Sequence, residues 1–259
     1  MKIVLVSLNQ VWEDKTANLL NCEEYIKHAS LNNAELIIFP EMTLTAFSVN
    51  TDVISENEEN SFTIQSFQEL AKKYNITIIF GVVIKEKIKS SNRLYFIDNL
   101  GTILDFYKKI HPFSFANEDR YYVGGENIKI VEFNNIKFGL SICYDLRFSN
   151  LYHEYLNLKT DCIINIANWP SKRIDHWNTL LKARAIENQQ FIIGVNRIGI
   201  DGNNLEYCES SNIFNSNGDH VKSLFKYNDM NIYEIDKEFT DNFKERFNTV
   251  QDRKVINVK

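Results

Sequence analysis

Gly139-Leu140-Ser141-Ile142-Cys143-Tyr144-Asp145-Leu146-Arg147-Phe148 carries a strand-like apolar run directly into a helix-like segment, with a thiol at the junction. A group placed there stands at the lip of a sheet, and the peptide N–H groups that follow, beginning with Tyr144, can face an oxyanion. Free cysteine is among the most buried residue types, so Cys143 taken alone reads as a core side chain. Two further residues reverse that reading. Glu41 closes Glu35-Leu-Ile-Ile-Phe-Pro-Glu41, and Lys109 closes Thr102-Ile-Leu-Asp-Phe-Tyr-Lys-Lys109. In open α/β architectures, functional groups gather beyond the carboxyl ends of the strands. Either charge alone is an ordinary solvated loop residue; with Cys143 they make a coherent chemical set.

Outward from that junction the chain alternates strand-like and helix-like patterns. Ile3 to Leu8 alternate with strand period, Leu19, Cys22, Ile26 and Ala29 recur at helical spacing, and the run ending in Glu41 completes a βαβ unit. Glu56 to Ser61 reads as an acidic, polar surface loop. Phe62, Phe67, Leu70, Ala71 and Tyr74 then mark a second helix, and Ile76 to Ile84 a strand. Tyr95 to Phe106 holds two strand-like runs around Asp98-Asn-Leu-Gly101, and Ile128 to Ile142 holds two more around Asn134-Asn135, so both predict hairpins. Beyond Cys143 the spacing predicts a helix over Leu146 to Leu158, a strand over Cys162 to Ala167, a helix over His176 to Gln189 and a strand over Phe191 to Arg197. A strand at Asn212 to Phe214, a turn at Asn215-Ser-Asn-Gly218 and strands near Ser223 and Ile232 close the pattern. Parallel and antiparallel pairs therefore mix, and the expected class is α/β, two sheets with helices outside.

Composition predicts one domain over residues 1–259, because no Pro/Gly/Ser-rich linker, repeat or low-complexity tract divides the chain. With 44% hydrophobic and 13% aromatic residues there is material for a sizeable core. Three prolines and nine glycines leave the turns to Asn, Asp and Ser. A net charge of −5 with no basic stripe argues against nucleic-acid partners. The longest apolar stretches are of strand length, far below the roughly 18 to 20 residues of a membrane span. Met1-Lys-Ile-Val-Leu-Val-Ser-Leu-Asn-Gln10 reads as a first strand, not a signal peptide, which makes the cytoplasm the expected compartment. Cys22, Cys143, Cys162 and Cys208 are scattered, with no Cys-x-x-Cys pair and no nearby His at ligand spacing, so no metal site is expected. Cys22 and Cys162 are expected to pack in a helix and a strand, and His111 and His176 to act as structural hydrogen-bonding groups.

Phe39-Pro-Glu41-Met-Thr, Tyr107-Lys-Lys109-Ile-His111 and Cys143-Tyr-Asp145-Leu-Arg147-Phe148 resemble, in order, the three signature segments of the nitrilase, or carbon–nitrogen hydrolase, superfamily. The resemblance implies a Glu-Lys-Cys triad at Glu41, Lys109 and Cys143. It also implies a second glutamate, Glu118 in Ala116-Asn-Glu118, that supports the lysine. Ala167-Asn-Trp169-Pro-Ser-Lys-Arg173, His176-Trp177, Ala183-Arg-Ala-Ile-Glu187-Asn188-Gln and Asn196-Arg-Ile-Gly199-Ile-Asp201-Gly202-Asn203 further resemble bacterial omega-amidases. The implied fold is a four-layer αββα sandwich, and the implied assembly a homodimer without a cofactor.

An amide is resonance-stabilised, so its hydrolysis needs a strong nucleophile, charge stabilisation on the carbonyl oxygen and a proton for departing ammonia. The triad supplies each, with the Tyr144 N–H joining Lys109 at the oxyanion. Lys109 favours the thiolate and Glu41 opposes it, so sequence leaves the direction of the thiol's shift open. Omega-amidases act on monoamides of dicarboxylic 2-oxoacids such as 2-oxoglutaramate and need a cation for the distal carboxylate. Arg173 is the candidate, since a guanidinium meets carboxylate in a planar fork, and Trp169 is a candidate pocket wall. Arg147 is expected to fix local structure with Asp145, and Arg184 with Glu187, three apart on one helix, to make a structural contact. The chain departs from the subgroup pattern at Pro112, Ser149, Glu209 and Phe247-Asn-Thr-Val, none in the triad. An amidase for deaminated glutathione or N-carbamoyl compounds, a papain-like Cys-His hydrolase and a non-catalytic binding protein are the alternatives.

Overall fold

The first strand, β1 (Lys2–Val6), is apolar at four consecutive positions and buried at all four: Ile3 and Leu5 enter one core, Val4 and Val6 another. A strand covered on both faces requires a layer on each side. The computed structural model describes residues 1–254. From β1 the chain runs through α1 (Lys15–Leu31), β2 (Leu36–Ile38), α2 (Thr51–Ile54), α3 (Phe62–Tyr74), β3 (Thr77–Lys85), β4 (Ser90–Ile97) and β5 (Ile103–Lys108). It then passes α4 (Glu118–Tyr121), β6 (Ile130–Phe133), β7 (Ile136–Ile142), α5 (Ser149–Asn157), β8 (Cys162–Ala167), α6 (Ile174–Asn188) and β9 (Phe191–Asn196). A ribbon of β10 (Gly199–Ile200) and β11 (Glu206–Tyr207) precedes β12 (Asn212–Phe214), β13 (Phe225–Tyr227), β14 (Met230–Glu234) and α7 (Lys237–Arg246).

Seven strands form one sheet in the order β13-β14-β1-β2-β3-β4-β5, and five form the other in the order β12-β9-β8-β7-β6. Each has a parallel centre, β1-β2-β3 or β7-β8-β9, flanked by antiparallel strands. The sheets face each other across one apolar layer that includes Leu5, Ile38 and Phe96 from the first and Phe138, Ile164 and Ile193 from the second. Side chains of opposite parity point outward, to α1 and α3 on the first sheet and to α5 and α6 on the second. Period-two alternation thus builds the αββα sandwich that the resemblance implied.

Local chemistry explains where the elements begin and end. The Asn134-Asn135 hairpin has positive φ at both residues, 49° and 61°, as a two-residue turn of primed type requires. Ser61 caps α3 by accepting from Ile64 N, and Asn75 ends it in the left-handed region. The Glu56 to Ser61 segment is not simply a surface loop. Glu58–Asn60 form a 3₁₀ turn, and Glu56 is buried, where it accepts from Thr63 N at 2.9 Å and pairs with Lys15 at 2.8 Å. Burial opposes the Glu56 charge, but Lys15, Ser61 and Thr63 outweigh it and hold the carboxyl below its ordinary range. The expected helix from Leu146 is also corrected: Cys143–Arg147 form a 3₁₀ turn and α5 starts at Ser149. Asp145 causes the break, since its carboxylate folds back to accept from Ile142 N at 3.1 Å.

Candidate active site

The groups singled out in the sequence lie just past strand ends from both sheets. Glu41 follows β2 by three residues, Lys109 follows β5 directly, and Cys143 follows β7 directly. Glu41 is fully buried, and its carboxylate accepts from Asn92 Nδ2 at 2.7 Å, Lys109 Nζ at 3.0 Å and Asn168 N at 2.9 Å. Its carbonyl is held from two sides, by Gln10 Nε2 at 3.1 Å and Asn168 Nδ2 at 2.6 Å. The next strand presses against this turn: a Cβ on Gly81 would lie 2.4 Å from Met42 N, so only glycine fits.

Lys109 bridges two acids. Besides Glu41, its Nζ donates to Glu118 Oε1 at 3.0 Å and Oε2 at 2.8 Å, and Asn92 Nδ2 reaches Glu118 as well, at 3.2 Å. Burial works to lower the lysine's pKa, but the pull of Glu118 and Glu41 outweighs it, so the ammonium is held well above its ordinary range. Glu118, also fully buried, is raised, chiefly by burial and further by Glu41, with Lys109 opposing. Cys143 sits half-buried at φ 46°, a left-handed conformation unusual for a side chain, and its Sγ lies 4.0 Å from the Asn168 carbonyl. Burial and the Glu41 charge push the thiol well up, and Lys109 only partly compensates. The direction that sequence left open is thus toward the neutral thiol.

Cys143 and Lys109 open onto a pocket with about 490 Å³ of unfilled space, part of it continuous with solvent. Its aromatic walls are Phe47, Phe113, Tyr144, Trp169 and Tyr207, and two guanidiniums, Arg147 and Arg173, complete it. Tyr144, Trp169 and Arg173 therefore line the same space as the thiol, while Glu41 and Glu118 lie behind Lys109. The expected partnership of Arg147 with Asp145 is not formed. Asp145 instead accepts from Tyr107 OH at 2.8 Å and from His111 N and Nδ1 at 3.0 and 2.7 Å. Arg147 is left to stack on the Trp169 ring, 4.7 Å from its centroid. Arg184 does make a structural contact, pairing with Glu187 at 2.9 Å and donating twice to the Leu146 carbonyl. Nothing in the motifs marks Asn92 or Asn168 as site residues. A buried polar run, Ser90-Ser91-Asn92-Arg93 in a strand, was the available signal for the first.

Among the described residues no cluster of His, Cys, Asp or Glu could hold a metal ion, and no helix is long and apolar enough to cross a membrane. What the arrangement offers is a thiol, a buried cation and two carboxylates beside an aromatic-walled pocket open to solvent.

Comparison with known proteins meets this geometry. The chain is 31% identical over 253 residues to the omega-amidase YafV of Escherichia coli (strain K12), covering 97% of this chain and 96% of that protein. It is 31% identical over 190 residues to the 2-oxoglutaramate amidase of Bacillus subtilis (strain 168), covering 72% of each. Among solved structures, XC1258 from Xanthomonas campestris, a CN-hydrolase superfamily protein, superposes with a TM-score of 0.91 at 27% identity, covering 100% of this chain and 99% of that one. These relatives support an amidase acting on small molecules. The carbon-nitrogen hydrolase profile matches residues 2–245, and the chain belongs to that family, as a hydrolase of carbon–nitrogen bonds other than peptide bonds.

Proposed function

We propose that the protein is an omega-amidase that converts 2-oxoglutaramate or 2-oxosuccinamate to the dicarboxylic 2-oxoacid and ammonia. One observation carries the reading: a thiol and a carboxylate-bridged lysine share a pocket whose other charged groups are both arginines. A neutral thiol needs a base at the moment of attack, and Glu41 takes that role. As Glu41 accepts the Sγ proton, sulfur bonds to the carboxamide carbon, and the carbonyl oxygen gains charge against Lys109 and the Tyr144 N–H. Collapse breaks the C–N bond, Glu41 returns its proton to the nitrogen, and ammonia leaves a thioester on Cys143. Water, losing a proton to Glu41, adds to the thioester carbon; the acid departs and the thiol is restored. Glu118 keeps Lys109 charged and in place throughout. Arg173 binds the distal carboxylate and Trp169 walls the substrate. Working as a homodimer, as the family resemblance implies, and in the cytoplasm completes the proposal.

The test is ammonia release from 2-oxoglutaramate beside glutamine, deaminated glutathione and N-carbamoyl substrates. Turnover restricted to 2-oxoglutaramate and its shorter homologue is expected, with Cys143→Ala losing about a thousandfold or more while melting like the native chain. Cys143→Ala at full activity would end the thioester route. Turnover of another amide would replace the substrate and keep the chemistry.

A further inference from the structure

Arg147 lies in the same five-residue turn as Cys143, and that turn is clamped from both sides. Asp145, at its centre, is fully buried and accepts from Tyr107, His111 and the Ile142 N–H, while Arg184 holds the Leu146 carbonyl at 2.9 and 3.2 Å. The side chain of Arg147 is then fixed outside the turn. Its guanidinium lies over the Trp169 ring, and its Nη2 donates to His176 Nδ1 at 3.3 Å. Trp169 is itself anchored, its backbone N–H donating to Asn196 Oδ1 at 2.7 Å and its indole N–H to the Arg173 carbonyl at 2.8 Å. The indole therefore carries the Arg147 guanidinium and ties down the Arg173 backbone, while the Arg173 guanidinium lies over the Phe113 ring, 5.6 Å from its centroid.

Neither cation is neutralised. Among the described residues the arginines paired with carboxylates are Arg93 and Arg184. Asp175 lines a separate groove on the far side of Arg147, with His176, without closing an ion pair. A guanidinium held against aromatic walls and without a carboxylate partner is free to attract an anion entering the pocket.

We propose that Arg147 is a specificity-determining residue for this hydrolase: it grips the carboxylate of the ω-amide together with Arg173, the two guanidiniums closing on it from either side of the pocket. The inference rests on Cys143 as nucleophile and on an anionic amide as substrate. Since thiol and guanidinium belong to one rigid turn, their separation is a ruler, and the amide must lie a fixed chain length from the carboxylate it is recognised by.

Charge-selective alkylation tests this without relying on turnover. Iodoacetate and iodoacetamide both react with the Cys143 thiolate, so the ratio of their rates, divided by the same ratio for N-acetylcysteine, cancels the ionisation of the thiol and reports the charge of the pocket. In the native protein the normalised ratio is expected to favour iodoacetate by about tenfold, and Arg147→Gln to bring it close to one. Arg173→Gln is expected to lower it less. A native ratio at or below one, or a ratio unmoved in Arg147→Gln, overturns the proposal. If that variant does not fold, Arg147→Lys decides: it keeps a charge but loses the planar fork, so KM for 2-oxoglutaramate should rise about tenfold with a smaller fall in kcat, and an unchanged KM refutes the assignment. Absence of 2-oxoglutaramate turnover in the native protein would remove the omega-amidase reading, while the alkylation ratio would still decide the role of Arg147.

Discussion

Two charged clusters occupy opposite faces of β4 and the end of β5, one residue out of phase. Asn92 and Lys109 turn toward the pocket, where Lys109 and Asn92 meet Glu41 and Glu118 in full burial. Arg93 and Lys108, cross-strand partners in β4 and β5, turn the other way. There Arg93 pairs with Glu58 at 2.8 Å and Glu86 at 3.1 Å, and Lys108 pairs with Glu86 at 2.9 Å. The carboxylates respond in opposite directions. Burial opposes the Glu86 charge, but Lys108 and Arg93 prevail and push it down to about 2; Glu118 is raised. Like residue types thus give a settled ionic brace where solvent reaches, and a tense, acid-rich cluster where it does not. Pairing around a buried Arg93, with Glu58, Glu86 and Lys108 partly open to solvent, satisfies each charge, while one buried lysine shared by two carboxylates keeps a proton inventory close to a thiol.

Replacing the two lysines in turn is the harshest test of that contrast. Lys109→Met strands two buried carboxylates and is expected to cost about 3–5 kcal/mol in urea denaturation and about a hundredfold or more in kcat. Lys108→Met should stay within about 1 kcal/mol and leave turnover near native. Equal costs for the two would collapse the distinction. A smaller effect separates the charges acting on the thiol. Alkylation of Cys143 by iodoacetamide should keep accelerating above pH 9, since the thiol lies above its ordinary 9.0. Glu41→Gln removes a neighbouring anion, favours thiolate, and should move the curve to lower pH; a curve that stays put would detach Glu41 from the sulfur. The slightest effect belongs to the brace. Glu86 has a folded pKa below its unfolded value, so its contribution is present above about 4.5 and lost as pH falls toward about 2. Glu86→Gln should therefore flatten acid unfolding in that window by less than about 1 kcal/mol, and an equally steep loss in the variant would assign it elsewhere.

Apolar runs of strand length made both sheets legible in the sequence, because strands buried on two faces leave them nearly unbroken, as in Ile3 to Val6 and Cys162 to Ala167. The ends of those runs exposed Glu41, Lys109 and Cys143 as a set. Less legible was anything decided by a single side chain folding back on the backbone. Asp145 turns the expected start of a helix into a 3₁₀ turn, and Glu56 converts an acidic loop into the anchor of α3. Asn92 was hidden because its value lies in reaching two glutamates remote in sequence. Arg147 was assigned to the wrong partner for the same reason: proximity in the chain favoured Asp145, but His111 and Tyr107 arrive from another strand end and occupy it first.

The upward push on the Cys143 thiol also bears on how the protein ages. Peroxide consumes thiolates, carrying them through sulfenic acid to forms that no reductant restores. A sulfur biased toward S–H by burial and by an adjacent carboxylate offers less thiolate to that ladder between encounters with substrate. Cys208, exposed on the surface, is the more accessible of the two sulfurs.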